Sequence, residues 1–275
     1  MTSTAPLPRS IALCVDDFGL HPGVNEAALR LAALGRATAV SCMTGAPAWQ
    51  GGAAALRPLA PQQLDVGLHL DLTQHPVDRA LQRSLPSWWA RSAAHLVGRE
   101  RLRRELDAQL DRFEAAMGQP PAHVDGHQHV HQFPVIRDVL LRTLEARYPP
   151  PLRPWLRSTR PPAGAMGKPW LLQRLGGAAF ERLARAHGFA CNRRLLGVYG
   201  FGGTAPGYQA LLSQWLDAAR DGDLLMCHAG LGSPEGDPIA AARRREYEVL
   251  AGDAFAALLA RLHVQLVPLS RLARG

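Results

Sequence analysis

The sequence predicts an α/β fold of the (β/α)-barrel type, formed as a single domain that is a regular, a distorted or an incomplete barrel. Eight short apolar runs recur along the 275 residues, each followed by polar residues or glycine. Such runs are typical of buried parallel strands. Segments with helical periodicity lie between most of them. This alternation indicates a barrel, and an open doubly wound sheet is the alternative.

The predicted elements follow one another in regular order. Strands are expected at residues 11–15, 37–43, 66–70, 123–125, 154–157, 195–199, 224–227 and 264–267. Helices are expected at residues 22–35, 100–117, 134–147, 168–187, 207–220 and 238–262. The first helix has Pro22 at a favoured first-turn position and Gly35 at a favoured end. Prolines interrupt 74–96 and 149–166, so we predict long loops there.

The composition is that of an ordinary globular protein, with 47% hydrophobic and 20% charged residues. No apolar run reaches the roughly 18 residues that cross a bilayer. Residues 1–10 lack the features of a signal peptide, and the four cysteines show no CxxC spacing, which agrees with a reducing compartment. We therefore expect a cytoplasmic protein without a membrane span.

The formal charge of +8 raises nucleic acid as a partner. However, every one of the 31 basic residues except Lys168 is an arginine, as codon bias in a GC-rich genome would produce. The arginines are spread along the chain, with local clusters at 99–104 and 243–245. Aromatic residues are sparse, so no stacking platform accompanies them. We predict no nucleic-acid partner.

Residues suited to acid–base or metal chemistry gather at the ends of the predicted strands. Asp16 and Asp17 follow the first strand, His69 and Asp71 end the third, and His228 follows the seventh. In a barrel the carboxyl ends of all strands share one face. We therefore expect these side chains to converge, although Asp16 and His228 are far apart in the chain.

The adjacent carboxylates of Asp16 and Asp17 repel one another unless a cation or a shared proton relieves them, which favours a metal site. A turn or a helix cap is the structural alternative. For His69 the alternative is a neutral core histidine. For His228, which could protonate a leaving group, it is a capping or packing role. Arg157 ends the fifth strand and either holds an acidic residue, contacts substrate or forms a structural salt bridge.

A dense histidine cluster follows the fourth predicted strand. Its ligand-type members are His123, Asp125, His127, His129 and His131. The spacing of His127 and His131 suits one face of a helix, and that of His127 and His129 suits one face of a strand. Members that do not bind metal would orient those that do.

These residues predict one divalent metal bound by an aspartate and two histidines, with an open position. Such a site lowers the pKa of a bound water, so the reaction class is metal-assisted hydrolysis. The absence of a GxSxG motif or a recognisable Cys–His pair argues against a serine or cysteine nucleophile. The substrate does not follow from these residues.

Four motifs together resemble the YdjC-like carbohydrate deacetylases, the ChbG/HpnK deacetylases. They are residues 15–25, 66–73, 123–131 and 225–228, and the resemblance covers about residues 11–268. It implies a single (β/α)-barrel-like domain over residues 1–275. It also implies hydrolysis of the acetamido group of an N-acetylated sugar, either a chitooligosaccharide or an N-acetylglucosaminyl glycolipid, with release of acetate.

By the same resemblance, Asp17, His69 and His127 would bind one divalent ion, Mg²⁺ or Zn²⁺. Asp16 would be the base and His228 the acid. Supporting or substrate-contacting roles would fall to Asp71, Asp125, His129, His131 and Arg157. The family also implies a homodimer.

The chain departs from the family pattern in two places. Gln128 replaces the middle of three histidines, and Ala229-Gly230 replaces the proline that usually follows the last histidine. Both changes are expected near the substrate, so an acceptor sugar other than chitobiose stays open. Two further hypotheses stay open: a metal-dependent phosphoesterase that uses His127 and His129 as an HxH pair, and a sugar-binding protein without activity.

Overall fold

The computed structural model describes residues 8–60 and 63–272 and contains all eight predicted strands. They are β1 (Arg9–Phe18), β2 (Ala39–Cys42), β3 (Asp65–Leu70), β4 (His123–Gly126), β5 (Trp155–Leu156), β6 (Leu195–Leu196), β7 (Leu224–Cys227) and β8 (Val264–Leu266). The predicted strands are thus confirmed. The expectation that residues 1–10 are not a signal peptide rests mostly on residues 1–7, which lie outside the described residues. A single domain over residues 1–275 stays a prediction.

Seven of the described strands form one curled parallel sheet in the order β5-β4-β3-β2-β1-β7-β6, and β8 pairs with the first residues of β1. The edges β5 and β6 approach each other through the segment that precedes β6. Leu156 pairs with Cys191 in a parallel bridge, and the Leu195 N–H donates to the Arg160 carbonyl at 2.7 Å. The sheet is therefore a distorted barrel, as the sequence predicts.

The sheet is flanked by helices. They are α1 (Pro22–Ala33), α2 (Trp49–Leu56), α3 (Leu85–Ala93), α4 (Arg99–Met117), α5 (Ile136–Arg147), α6 (Lys168–Leu172), α7 (Ala178–Ala186), α8 (Ala205–Asp217), α9 (Ala240–Ala251), α10 (Asp253–Arg261) and α11 (Leu269–Leu272). Within the described part of the chain, none of them has the length and apolar character required to cross a membrane.

The helix assignment needs correction in five places, and one of them is α11 (Leu269–Leu272), which the sequence does not predict. The supposed loop 74–96 contains α3, because Pro86 occupies the first turn, where proline is tolerated. Trp88 anchors this helix, since its buried indole donates to the Leu72 carbonyl at 2.8 Å. The helix α2 was not predicted. The predicted helix 168–187 is broken near Gly176, whose φ is 126°, and 238–262 is divided at Gly252.

Side chains alternate across the strands, and the two larger clusters of the described core lie on opposite sides of the sheet. From β1, Ile11, Leu13 and Val15 belong to the large cluster that includes the helices. Ala12 and Cys14 belong to a second cluster with residues from β2, β5, β6 and β7. Successive strand residues face opposite sides of a sheet. The second cluster therefore fills the inside of the barrel.

Gly67 on β3 gives a testable consequence of this interior packing. A Cβ at this position would lie 2.4 Å from atoms of the His123 ring, which stacks on Trp155 with centroids 4.4 Å apart. We expect Gly67→Ala to lower the free energy of unfolding by about 1–3 kcal/mol, measured by urea denaturation. In Gly51→Ala on α2 the new Cβ meets no atom of residues 8–60 and 63–272 within 4 Å, so that control should be neutral or slightly stabilising. Equal effects would contradict the tight fit at Gly67.

Candidate metal centre and active site

A layer of polar side chains lies at the carboxyl ends of five neighbouring strands, directly beyond the inward-facing residues of the barrel core. The members of this layer are Asp16, Ser41, His69, Asp125 and Arg157, each two positions beyond an inward-facing residue of its strand or strand end. All five side chains are buried. The convergence at the carboxyl ends of the strands therefore holds for these residues.

Arg157 is the cationic centre of this layer and is fully buried. Its Nη1 and Nη2 donate to the two carboxylate oxygens of Asp16, both at 2.6 Å. Nη2 also lies 2.6 Å from Asp125 Oδ2. Burial alone would raise the pKa of both carboxyls, but the guanidinium outweighs it and holds each pKa below the usual range. Arg157 thus keeps two buried aspartates ionised.

Asp17 faces the same centre although it is adjacent to Asp16. Strict alternation would direct the two side chains to opposite faces. The pairing of β1 with β2 shifts register between Val15 and Phe18, and Asp17 has a left-handed φ of 66°. Such a bulge redirects a side chain, and a non-glycine residue with positive φ is strained, which is common at functional sites.

Asp17 lies between two histidines. Its Oδ1 is 2.9 Å from His127 Nδ1 and 3.3 Å from His69 Nε2. Its Oδ2 accepts from Arg243 Nη2 at 2.8 Å. Burial acts to raise the pKa of Asp17, but Arg243 and His127 hold it well below the ordinary value. The carboxylate therefore presents one oxygen to the histidines and the other to an arginine.

His69 is oriented by a carboxylate on its far side. Its Nδ1 lies 2.6 Å from Asp125 Oδ1, and this contact directs Nε2 toward Asp17. Burial would lower the pKa of His69, but Asp125 and then Asp17 and Asp16 raise it to about 10. A carboxylate behind a histidine is the arrangement that orients metal-binding histidines in proteins.

Ligand-type atoms of Asp17, His69 and His127 all lie within 4.8 Å of one another. His127 Nε2 is buried and has no hydrogen-bond partner among the described residues, which is unusual for a buried polar atom. Two other such groups occur among the described residues, Cys14–His123–Asp125 and Asp16–His69–Asp125. Both include Asp125, whose oxygens already contact Arg157 and His69. The group Asp17–His69–His127 is therefore the best candidate for a metal.

The charges around this group also fit a divalent cation. Four carboxylates form ion pairs with two buried arginines. They are Asp16, Asp17, Asp125 and Asp237 against Arg157 and Arg243. With the histidines counted as neutral, the form in which they bind a metal, four carboxylates and two arginines leave two negative charges. Buried charge is costly unless it is compensated.

His228 follows β7 and lies beside Asp16. Its Nε2 is 4.0 Å from Asp16 Oδ2, and its ring contacts Phe201 edge-on with centroids 5.0 Å apart. Its backbone N–H donates to Glu246 Oε2 at 2.5 Å. Burial lowers the pKa of His228 to about 4, although Asp17 and Asp16 oppose this. The imidazole is therefore neutral at pH 7 in this arrangement.

Three of the sequence candidates lie beside the centre rather than in it. Asp71 accepts from the backbone N–H groups that follow it, including His75 at 2.5 Å, and so organises a turn. His131 packs on Phe180, and its Nε2 lies 3.0 Å from the carbonyl of Arg157. His129 belongs to none of the three ligand groups of the described residues. An HxH metal pair with His127 therefore receives no support.

The segment after β4 is neither the helix nor the strand that its histidine spacings suit. Residues His127–Gln132 form a short 3₁₀ turn in which Gln128 and His129 have φ values of 53° and 60°. Gln128, one of the two departures from the family pattern, is exposed there. Only His127 of the three histidines that follow β4 is directed at Asp17.

Sequence analysis missed Arg243, Glu246 and Ser41. Arg243 and Glu246 lie on α9, whose arginine cluster resembled the scattered basic residues elsewhere. Ser41 donates to Asp125 Oδ2 at 2.7 Å from inside the barrel. The alternation of β2 could have indicated Ser41, because it follows the inward-facing Ala39 by two positions.

Comparison with known proteins agrees with the motifs. A family model described as YdjC-like protein matches residues 10–261. A carbohydrate deacetylase of Geobacillus stearothermophilus is 37% identical over 163 residues, 56% of this chain and 63% of that protein. A chitooligosaccharide deacetylase of Yersinia enterocolitica is 36% identical over 137 residues, 47% of this chain and 53% of that protein. The chain thus spans less than two thirds of these curated relatives.

A crystal structure from Enterococcus faecalis V583 has a similar fold. That protein, whose proposed role is cellobiose-phosphate cleavage, has a TM-score of 0.73 and 20% sequence identity to this chain. The similarity covers 96% of this chain and 99% of the other. At this identity the comparison shows the barrel-like fold alone.

Proposed function

Because the chain belongs to the family of YdjC-like proteins, we propose that it is a carbohydrate deacetylase that hydrolyses the acetamido group of an N-acetylated sugar and releases acetate. The observation that carries the proposal is the Asp17–His69–His127 group, with Asp16 and His228 beside it. The deacetylase names of the relatives support the same chemistry. The acceptor is a chitooligosaccharide or an N-acetylglucosaminyl glycolipid.

In this proposal Asp17, His69 and His127 hold one divalent ion, Mg²⁺ or Zn²⁺. The unpartnered His127 Nε2, the carboxylate behind His69 and the two excess negative charges all suit such an ion. A bound divalent ion lowers the pKa of water and polarises the acetyl carbonyl. Arg157 holds both carboxylate oxygens of Asp16, whereas Arg243 holds only Oδ2 of Asp17 and leaves Oδ1 toward the two histidines. We therefore assign Asp17 to the metal and Asp16 to the role of base.

Asp16 then accepts the proton of the attacking water. Arg157 fixes both carboxylate oxygens and keeps Asp16 ionised, so it takes a proton only from a donor of lowered pKa. His228 is neutral at rest and must gain a proton before it can donate one to the leaving amine. Asp16 Oδ2 lies 4.0 Å from His228 Nε2 and can supply it once the two atoms close to hydrogen-bond distance or through one bridging water. One proton thus passes from water through Asp16 and His228 to the amine.

The phosphoesterase hypothesis has no comparable support, since its HxH pair is not formed. The homodimer, the cytoplasmic location, the lack of a nucleic-acid partner and the identity of the metal stay predictions.

The first experiment measures acetate release by metal-stripped protein before and after addition of Zn²⁺ or Mg²⁺. The panel contains N-acetylglucosamine, chitobiose and glycolipid head groups with the same acetamido unit. We expect acetate release only with metal, and a stoichiometry of one ion per chain. His127→Ala should lose both the bound ion and acetate release, because one of three protein ligands is removed. His187→Ala is the control, since His187 pairs with Glu145 away from the site.

Two results would overturn the proposal. Hydrolysis of a generic phosphate ester without acetate from any member of the panel would favour a phosphoesterase. Sugar binding without turnover, unchanged in Asp16→Asn, would favour a binding protein.

A further inference from the structure

Helix α9 (Ala240–Ala251) approaches the candidate metal group through Arg243. This residue belongs to the basic cluster 243–245, yet it is only 3% exposed, whereas its neighbour Arg244 is exposed. Burial of an arginine at this position is costly unless its charge and its N–H groups are satisfied. The contacts that satisfy the charge and the N–H groups of Arg243 therefore indicate its role.

Arg243 makes three contacts on three sides of the guanidinium. Nη2 donates to Asp17 Oδ2 at 2.8 Å, and Nε donates to Asp237 Oδ2 at 2.6 Å. Nη1 lies 3.4 Å from the carbonyl of His228. The fork thus joins Asp17 at the end of β1 to the segment between β7 and α9.

These contacts determine how Asp17 faces its histidines. Arg243 takes Oδ2, so that only Oδ1 is directed at His127 and His69. Asp237 balances the charge of Arg243, so the arginine orients Asp17 without cancelling the attraction of the site for a cation. A lysine would keep the charge but could not reproduce the planar fork.

We propose that Arg243 is a positioning residue for the metal site, which holds the Asp17 carboxylate in a one-oxygen arrangement toward His69 and His127. This inference rests on the proposed metal site. It assigns Arg243 no contact with substrate.

The test is metal affinity, measured by competition between the protein and a chromophoric chelator for Zn²⁺. We expect Arg243→Lys to weaken Zn²⁺ binding about 10–100-fold, the usual effect of removing a group that orients a ligand. Arg244→Lys, on the exposed side of the same turn, should leave the affinity unchanged. Unchanged or tighter binding by folded Arg243→Lys would overturn the proposal.

Asp237→Asn provides a second variant, because it loosens the far end of the fork and leaves Asp17 and Arg243 in place. We expect Asp237→Asn to weaken Zn²⁺ binding less than Arg243→Lys does. An unchanged Zn²⁺ affinity in Asp237→Asn would contradict the proposal, even if Arg243→Lys failed to fold. The readout needs no turnover. If the wild type binds Zn²⁺ but releases no acetate, the proposed function is wrong. The role of Arg243 is still tested in that case, because the Zn²⁺ affinities of the variants can be compared. A wild type that binds no Zn²⁺ would overturn both.

Discussion

Asp16→Asn is expected to lower kcat for acetate release by about 10²–10⁴-fold, the usual contribution of a general base. The asparagine keeps the size of the side chain but cannot accept the proton of the attacking water. Asp17, His69 and His127 are unchanged, so metal content should stay at one ion per chain. KM should change little, because no group proposed to bind the sugar is removed. Steady-state kinetics and metal analysis of the same preparation test both parts.

Asp65→Asn is the matched control for this substitution. Asp65 is also fully buried and hydrogen-bonded, to Trp155 Nε1 at 3.0 Å, but it begins β3 and so lies at the opposite end of the barrel. It should retain wild-type kcat at a temperature where both variants are folded. If Asp16→Asn instead lost its metal while Asp17→Asn kept it, the proposed roles of the two aspartates would be exchanged.

The part of the site that sequence could predict depends on strand geometry. Parallel strands bring their carboxyl ends to one face, so Asp16, His69 and His228 could be placed together without any knowledge of helix packing. The pattern of short apolar runs is equally informative. A strand that is buried on both faces has apolar residues at nearly every position, so it can be recognised from its own sequence alone. All eight strands followed from it.

What could not be predicted depends on contacts between distant elements. Arg243 has no local feature that separates it from exposed Arg244, and only the approach of α9 to β1 makes it a partner of Asp17. The direction of Asp17 was equally hidden, since it depends on a register shift between β1 and β2. The breaks in two predicted helices are local instead: Gly176 has a φ of 126°, which favours glycine, and Gly252 is extended, with φ −74° and ψ 154°.

Arg157→Leu is expected to have the largest effect on stability, a loss of about 3–5 kcal/mol in the free energy of unfolding at pH 7. The substitution leaves Asp16 and Asp125 buried without their cation. Arg101→Leu is the matched control: Arg101 pairs with Asp78 at the same 2.6 Å, but the two side chains are 45% and 38% exposed. Its loss should be far smaller than that of Arg157→Leu, because water screens the pair. Urea unfolding of metal-free protein measures both variants without a contribution from bound metal.

The dependence of this loss on pH separates a charge effect from simple loss of packing. In the wild type the pKa values of Asp16 and Asp125 are lowered, so their contribution is present above the unfolded value of about 3.9 and is lost as pH falls. In Arg157→Leu the same carboxyls face burial without a cation, which raises their pKa, so stability is lost as pH rises. The two curves should therefore converge as pH is lowered from 7 toward 4. A constant difference over this range would mean that Arg157 stabilises the barrel by its packing, and that Asp16 owes neither its charge nor its fixed position to the guanidinium.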